Sequence, residues 1–201
     1  MGKIFCFMGK SSSGKDTIFR IISDNMPNLI KIIPFTTRPI REEETEGIEY
    51  HFVADENFNQ MLEDGRVIEY RSYDTFHGIW TYFTSSVNID LRYNDYIAIN
   101  TLEGYNSLRE YYGDDVVVPI YIQVKDDGVR LQRAVDRERK QNNPKYTELC
   151  RRFLADQEDF SEEKLASFQI KRRFDNDDLM TCVLEIEEEI LEKLNKQKQY
   201  H

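Results

Sequence analysis

The chain has 201 residues, of which 40% are hydrophobic and 32% are charged, a balance typical of one globular domain with a sizeable core. Its net charge of -10 argues against a general binder of nucleic acid or of a membrane surface. We find no apolar run of membrane-spanning length and no signal-peptide pattern. Cys6, Cys150 and Cys182 are widely spaced, so we expect free thiols and a cytoplasmic protein.

A phosphate-binding loop is predicted near the N-terminus. The apolar run 3–8 predicts a strand, which leads directly into the phosphate loop, Gly9-Lys10-Ser11-Ser12-Ser13-Gly14-Lys15-Asp16-Thr17. A helix follows, with Ile18, Phe19, Ile21 and Ile22 on its apolar side. In this order of elements, backbone N–H groups, the helix N-terminus and the Lys15 ammonium all favour nucleotide phosphates. The alternative, a glycine turn with a chance lysine, is disfavoured by the flanking strand and helix.

The residue after the loop lysine departs from the usual pattern. Such loops place Ser or Thr there, whose hydroxyl holds Mg²⁺, whereas this chain has Asp16 followed by Thr17. One interpretation is that Asp16 holds Mg²⁺, because a carboxylate beside phosphates is unfavourable unless a cation lies between them. The other is an acidic residue in the first turn of a helix, where the helix dipole favours it. Both interpretations stay open.

The rest of the chain alternates strands and helices. A proline is expected to end the first helix near residues 25–28. We then predict strand 29–33, helix 55–65 with Asp55 as its cap and Gly65 at its end, strand 66–71, strand 95–100, helix 102–112 and strand 116–124. Two arginine-bearing helices at 130–139 and 147–160, a short strand at 168–171 and a C-terminal helix starting at 176–179, with Asp177 as a candidate cap, complete the chain. This alternation predicts an α/β fold with a doubly wound parallel sheet, whose ligands bind beyond the carboxyl ends of the strands.

A second candidate anion site follows strand 29–33. Arg38 and Arg41 lie close together in sequence, and Tyr50 follows after a short loop. Two guanidinium groups and a phenol suit one phosphate group. The intervening acidic residues, Glu42, Glu43, Glu44 and Glu46, would equally suit a solvated surface loop.

These two motifs together resemble the guanylate kinase family. The residues Thr36-Thr37-Arg38, Arg41, Glu44, Gly47, Glu49-Tyr50 and Phe52 are similar to its acceptor signature, Thr-Thr-Arg-x-x-Arg-x-Gly-Glu-x-x-Gly-x-Asp-Tyr-x-Phe. The resemblance covers nearly the whole chain. It implies that Arg38, Arg41, Glu44 and Tyr50 bind the acceptor nucleotide, with the two arginines and the tyrosine on its phosphate.

The resemblance also implies which residues read the acceptor base. Glu69 would read guanine, because one carboxylate accepts from both N1–H and the 2-amino group and is repelled by adenine. An outward-facing strand residue is the alternative for Glu69. His77 and Gly78 stand where the family has Tyr-Gly, so His77 would contact phosphate; a half-buried strand histidine is the alternative. After strand 95–100, where the family carries acidic residues, the nearest polar candidates are Asn100, Thr101 and Glu103, of which Asn100 is the expected acceptor-binding residue.

Three arginines are implied to stabilise charge during transfer. Arg133, Arg137 and Arg152 match the lid arginines of the family, whereas we expect Arg130 and Arg139 on a solvated helix face. The phrase Asn176-Asp177-Asp178 resembles one close to the adenine of the donor, which makes Asn176 an ATP-binding candidate.

The departures from the family concentrate around the base. Pro34 and Ile79 stand where the family has hydroxyl residues, and Glu43 replaces a glycine. Acidic residues are also missing after Ile97. These changes favour an alternative in which a kinase of the same fold uses another nucleotide or a sugar phosphate as acceptor.

The sequence therefore predicts ATP-dependent phosphoryl transfer to a nucleoside monophosphate, GMP in the first instance (ATP + GMP = ADP + GDP). Mg²⁺ is the expected cofactor, and Lys15, Arg41, Arg133, Arg137 and Arg152 are the expected catalytic residues. The expected fold is a P-loop NTPase-type doubly wound sheet, with core 1–34, 84–125 and 164–201, a mixed α/β acceptor subdomain 35–83 and a helical lid 126–163. We expect a monomer or homodimer. A catalytically silent interaction module is a second alternative, which the intact Gly14-Lys15 and the arginines disfavour.

Overall fold

The computed structural model describes residues 1–76 and 78–198. The described strands are β1 (Ile4–Met8), β2 (Leu29–Lys31), β3 (Phe35–Thr36), β4 (His51–Phe52), β5 (Val67–Thr75), β6 (Gly78–Ser85), β7 (Asp95–Ile99), β8 (Val117–Gln123) and β9 (Arg173–Asp175). The helices are α1 (Lys15–Asn25), α2 (Asp55–Glu63), α3 (Leu102–Tyr112), α4 (Asp127–Arg139), α5 (Tyr146–Asp159), α6 (Glu162–Ser167) and α7 (Leu179–Lys198). None of these helices combines the length and the apolar character that crossing a membrane requires.

The main sheet is parallel, with strand order β2-β7-β1-β8-β9. β1 lies at its centre and is buried along its whole length, which explains the unbroken apolar run that precedes the phosphate loop. Residues of α1 and α7 pack on one face, and residues of α3 and α6 pack on the other. The prediction of an α/β fold with a doubly wound parallel sheet is therefore confirmed.

A second, smaller sheet lies within residues 35–85 and has the order β4-β3-β6-β5. Here β6 pairs antiparallel with both β3 and β5. The helix α2 covers this sheet, and the two share a separate apolar cluster built on Phe35, Phe58 and Phe83. The proposed division into core, acceptor subdomain and lid stays a prediction.

A bulge at the start of β5 decides which side chains face which side of this sheet. Val67 pairs with Ser85 and Glu69 pairs with Thr84, so two steps along β5 match one step along β6. Residues two apart normally share a face, but the extra residue at the bulge places Val67 and Glu69 on opposite faces. Val67 packs on the apolar cluster of the small sheet, while Glu69 is left on the other face.

The predicted strand 168–171 is wrong. α6 occupies Glu162–Ser167, and a turn with Gln169 at φ 61° follows it, in which the N–H of Ile170 donates to the carbonyl of Leu165 at 2.9 Å. Phe168 and Ile170 therefore pack on the core from this turn, although their alternation in sequence favoured a strand. The last strand, β9, forms later, where Arg173 pairs in register with Tyr121.

Two helix caps also differ from the prediction by one residue. Ala54 rather than Asp55 precedes α2, and Asp55 is its first helical residue. Before α7, Asp178 rather than Asp177 acts as the cap, because its Oδ1 accepts the N–H of Thr181 at 2.9 Å.

Candidate active site

A cavity of about 1090 Å³ lies beyond the carboxyl ends of β1 and β7. Its walls are the phosphate loop, the hairpin formed by β5 and β6, and the helices α4 and α5. The predicted site residues that line it are Gly9 to Thr17, Tyr50, Glu69, Asn100, Arg133, Arg137 and Arg152. Two regions that are far apart in sequence, the phosphate loop and β5, therefore face one another across a single space.

The glycines of the phosphate loop are required by close backbone contacts. Gly14 has φ 90°, and a Cβ atom there would lie 2.1 Å from Nδ2 of Asn176. The same Nδ2 donates to the carbonyl of Ser13 at 2.7 Å. Asn176, which lies between β9 and α7, therefore holds the loop in place. At Gly9, a Cβ atom would lie 2.3 Å from the carbonyl oxygen of Ile122. The loop is thus packed tightly against β8 and Asn176.

Lys15 and Asp16 form an ion pair at the N-terminus of α1, with Nζ 2.7 Å from Oδ1. The Asp16 side chain is 74% exposed and lines the cavity, so it can turn toward a ligand without crossing the protein interior. Thr17 adds a hydroxyl in the same wall. This arrangement places a carboxylate, a hydroxyl group and an ammonium group at the positions where the loop would contact phosphates. The carboxylate and hydroxyl oxygens could serve as metal ligands.

The helix α5 is fastened to the phosphate loop by Asp156. The N–H of Ser11 donates to Oδ2 of Asp156 at 2.9 Å, and Nζ of Lys10 donates to Oε1 of Gln157 at 2.7 Å. Arg130 donates from Nη1 to the same carboxylate at 3.0 Å and to the carbonyl of Ser11 at 3.1 Å. Three segments of the chain therefore meet at this carboxylate.

The expectation that Arg130 lies on a solvated helix face is wrong. Its side chain is only 1% exposed, and its guanidinium lies 4.0 Å from the centre of the Phe153 ring. The helix periodicity groups Arg130 with Arg133 and Arg137, but Arg130 is turned inward by its ion pairs with Asp127 and Asp156. For Arg139 the expectation is confirmed, because it is exposed and pairs with Asp136 at 3.8 Å.

The three arginines predicted for the lid line the cavity from α4 and α5. Arg133 donates from Nη2 to the carbonyl of Asn176 at 3.0 Å. Arg152 lies 3.8 Å from the Glu148 carboxylate, and both side chains are half exposed. Arg137 is exposed on the same wall. Positive charge is therefore available on the part of the cavity wall that α4 and α5 form.

Arg38 and Glu44 form a bidentate ion pair. The guanidinium donates from Nη1 to Oε2 at 2.9 Å and from Nη2 to Oε1 at 2.7 Å, and the Arg38 side chain is 3% exposed. These hydrogen bonds lower the pKa of the Glu44 carboxyl from 4.5 to about 2 and raise the pKa of Arg38. The guanidinium also lies over the Tyr50 ring, 5.7 Å from its centre. Arg38, Glu44 and Tyr50 are thus brought together, as the motif predicts.

Arg41 is joined to this cluster through its backbone. Its N–H donates to Oε2 of Glu44 at 2.9 Å, and its side chain is exposed. Of the cluster, only Tyr50 lines the large cavity. Glu44 therefore holds the segment that carries both arginines at the edge of the cavity.

The residues expected to read the base lie on β5, at the start of β6 and directly after β7. Oε1 of Glu69 accepts a hydrogen bond from Thr84 Oγ1 at 2.9 Å on the cavity face of the hairpin. Asn100 follows β7 on the adjacent wall, and its buried Oδ1 has no partner among the described residues. Gly78 begins β6 with φ 103°, and the prediction for His77 falls outside the described residues.

Two residues of the site were missed by the sequence reasoning. Arg71 lines the cavity two residues after Glu69, and the alternation of β5 would have indicated it. Asp156 gave no local signal, because its partner Ser11 is 145 residues away in the chain.

Comparison with known proteins gives a consistent result along the chain. Residues 1–192 match the family model described as guanylate kinase. A curated guanylate kinase from Helicobacter hepaticus is 30% identical over 139 residues, which cover 68% of each chain. Another from Porphyromonas gingivalis is 27% identical over 201 residues, covering 98% of this chain and 100% of the relative. The crystal structure of guanylate kinase from Anaplasma phagocytophilum is similar in fold, with a TM-score of 0.59 at 19% identity over 92% of this chain and 82% of that chain.

Proposed function

Because this chain belongs to the guanylate kinase family, we propose that it transfers the terminal phosphoryl group of ATP to GMP, giving ADP and GDP. The observation that carries the proposal is the single cavity that joins the phosphate loop to Tyr50 and Glu69. Such a cavity lets two nucleotides lie end to end with their phosphates between them. Transfer then needs positioning and electrostatic stabilisation rather than a covalent intermediate.

On the donor side, the amides of the phosphate loop and Lys15 would bind the ATP phosphates. Arg133, Arg137 and Arg152 would approach the transferred group from α4 and α5 and compensate the charge that develops in the transition state. Asn176 would keep the loop in its binding conformation, which its contacts with Ser13 and Gly14 support.

On the acceptor side, Arg38, Arg41 and Tyr50 would hold the phosphate of GMP as the attacking group. Glu44 would hold them in position, because its carboxylate accepts hydrogen bonds from both the Arg38 guanidinium and the Arg41 backbone N–H. Glu69 would accept the two adjacent donors of the guanine ring. Arg41, which is exposed before substrate binds, would also contribute to catalysis once the acceptor phosphate is in place.

We propose that Mg²⁺ enters together with ATP. Protein sites for Mg²⁺ commonly offer one or two carboxylates and leave the remaining positions to water and substrate phosphates. Asp16 and Thr17 fit this description, because both line the cavity at the start of α1. Within the described part of the chain, no group of three or more His, Cys, Asp or Glu residues could hold a metal. When bound, Mg²⁺ neutralises charge on the phosphates, and Asp16 would exchange its contact with Lys15 for a contact with the ion.

The cavity also supports a second candidate acceptor. Pro34 lines it without a hydrogen-bonding side chain, which is compatible with an acceptor other than GMP. We further propose that the protein acts in the cytoplasm, which its three free cysteines support.

The direct test is to incubate the protein with Mg²⁺-ATP and GMP and to separate the nucleotides by anion exchange. The proposal predicts ADP and GDP in equal amounts and little ADP when GMP is omitted. Formation of ADP at the same rate without any acceptor would identify an ATPase and contradict the proposal.

A further inference from the structure

We propose that Arg71 reads the O6 and N7 atoms of the acceptor guanine and so completes the base recognition that Glu69 begins. This inference rests on the proposed function, because it assigns a second reader to the same acceptor pocket. It follows from the position of Arg71 on the hairpin, from the contacts that orient its guanidinium and from the hydrogen-bonding pattern of guanine.

The bulge in β5 brings Arg71 into the cavity. After the bulge the strand alternates regularly, and Glu69, Arg71, Tyr73 and Thr75 all line the cavity. Their cross-strand partners Thr84, Tyr82 and Trp80 line it as well. The side chains of Glu69 and Arg71 are therefore neighbours on one face, with their Cα atoms about 7 Å apart.

The guanidinium of Arg71 is oriented by two residues at the start of α3. Nη2 donates to Oγ1 of Thr101 at 2.6 Å and lies 3.6 Å from the Glu103 carboxylate. Thr101 is itself fixed, because its hydroxyl caps α3 by accepting the N–H of Gly104. Among the residues that the structure describes, only Nη2 of the Arg71 guanidinium makes a hydrogen bond, so Nε and Nη1 have no partner there. The side chain is 42% exposed, so a held guanidinium presents unused donors to the cavity.

Guanine offers the complementary pattern. Its N1–H and 2-amino groups are donors that suit Glu69, and its O6 and N7 atoms are acceptors that suit a guanidinium fork. Adenine offers an acceptor at N1, which would face the Glu69 carboxylate. It also has an amino donor in place of O6, which would face the Arg71 guanidinium, so adenine conflicts with both residues. A carboxylate and a guanidinium two residues apart on one strand therefore discriminate between the purines at two edges.

Arg71 also supplies a donor that the neighbouring wall lacks. Pro34 lines the cavity and offers no hydrogen-bond donor, since proline has neither an N–H nor a polar side chain. A guanine O6 atom left without a partner in this pocket would weaken GMP binding. Arg71 can make this contact while Glu69 accepts from the N1–H and 2-amino groups on the neighbouring edge of the base.

The test compares GMP with 7-deaza-GMP, in which a C–H replaces N7, for the wild type, Arg71→Met and Glu69→Gln. Arg71→Met should raise the KM for GMP by about tenfold to a hundredfold, the effect of losing a bidentate contact to guanine, and leave the KM for ATP unchanged. The wild type should prefer GMP to 7-deaza-GMP, and Arg71→Met should lose this preference. Glu69→Gln should weaken the binding of both GMP and 7-deaza-GMP and keep the preference for GMP, because Glu69 contacts the N1 and 2-amino edge of the base and not N7.

Arg92→Met is the matched control, because Arg92 is an exposed arginine paired with Asp90 away from the cavity. It should leave the KM for GMP, the KM for ATP and the preference for GMP over 7-deaza-GMP unchanged. If the wild type phosphorylates GMP but Arg71→Met keeps both the KM and the preference for N7, the inference is wrong while the proposed function stands. If the wild type phosphorylates no GMP at all, the proposed function fails and the role of Arg71 fails with it.

Discussion

The carboxylate of Asp156 accepts the backbone N–H of Ser11 at 2.9 Å, which fastens α5 to the phosphate loop. The same carboxylate neutralises Arg130, whose guanidinium is almost completely buried between the loop and α5. Breaking a buried ion pair by removing one partner is costly, because the other charge is left without compensation. The contact therefore links the stability of the domain to the position of the helix that carries Arg152.

We predict that Asp156→Ala lowers the free energy of unfolding by about 2 kcal/mol. This loss is smaller than the loss expected when a buried charge keeps no partner, because Asp127 still contacts Arg130. Urea denaturation measures this change. Asp159→Ala on the same helix is the control, since its ion pair with Lys164 is largely exposed and should contribute little. Equal losses for the two variants would mean that the Asp156 contact does not stabilise the domain.

A second prediction concerns the two glycines with similar backbone angles but different surroundings. Gly14→Ala should weaken ATP binding strongly, because the new Cβ atom would lie 2.1 Å from Nδ2 of Asn176 and break the hydrogen bond that this group donates to the carbonyl of Ser13. Gly65→Ala also adds a side chain at positive φ, but nothing lies within 4 Å of it, so it should cost about 1 kcal/mol of stability and leave ATP affinity unchanged. Titration calorimetry with ATP separates the two, and normal affinity in Gly14→Ala would contradict the structure of the loop.

Lys15→Ala should reduce phosphoryl transfer at least about a hundredfold, because it removes the cation that would stabilise charge on the ATP phosphates. The measurement is kcat for ADP formation with GMP as acceptor. Lys171→Ala, which removes an exposed lysine outside the cavity wall, should behave as the wild type. An active Lys15→Ala enzyme would overturn the assignment of the phosphate loop.

The Arg38–Glu44 pair predicts a specific pH dependence of stability. Because the pKa of Glu44 is lowered from 4.5 to about 2 in the folded protein, its carboxylate stabilises the fold above pH 4.5. This stabilisation is lost as the pH falls from 4.5 toward 2, where the carboxyl binds a proton in both states. Glu44→Gln lacks it at every pH. The difference in unfolding free energy between wild type and Glu44→Gln should therefore be largest near neutral pH and shrink in that window, and a constant difference would contradict the pairing.

Much of the fold could be predicted because its central elements carry strong local patterns. β1 is apolar at every position since it is buried on both faces, and α3 was predicted at residues 102–112, as observed. The phosphate loop could be predicted equally well, because its glycines, its lysine and the start of the following helix occur in one short stretch of sequence. The strand predicted at 168–171 is wrong because a turn after α6, with Gln169 at φ 61°, packs Phe168 and Ile170 on the core at the spacing that a strand would use.

The parts of the site that could not be predicted depend on distant partners. Arg130 has the helical spacing of a surface arginine, and only the approach of Asp156 and Ser11 shows that it is buried. Glu69 lies on the cavity face because of a bulge, and neither propensity nor alternation in β5 indicates where the extra residue falls. These features depend on tertiary contacts that a local pattern does not contain.

The measurement that tests the central claim most directly is kcat/KM for ADP formation from Mg²⁺-ATP with GMP, dGMP, AMP, CMP, UMP and no acceptor, compared side by side. Our account predicts that the two guanine nucleotides are used far better than the others and that omission of the acceptor suppresses turnover. Equal use of AMP, or measurable ATP binding without turnover on any of these acceptors, would contradict guanine recognition by this pocket.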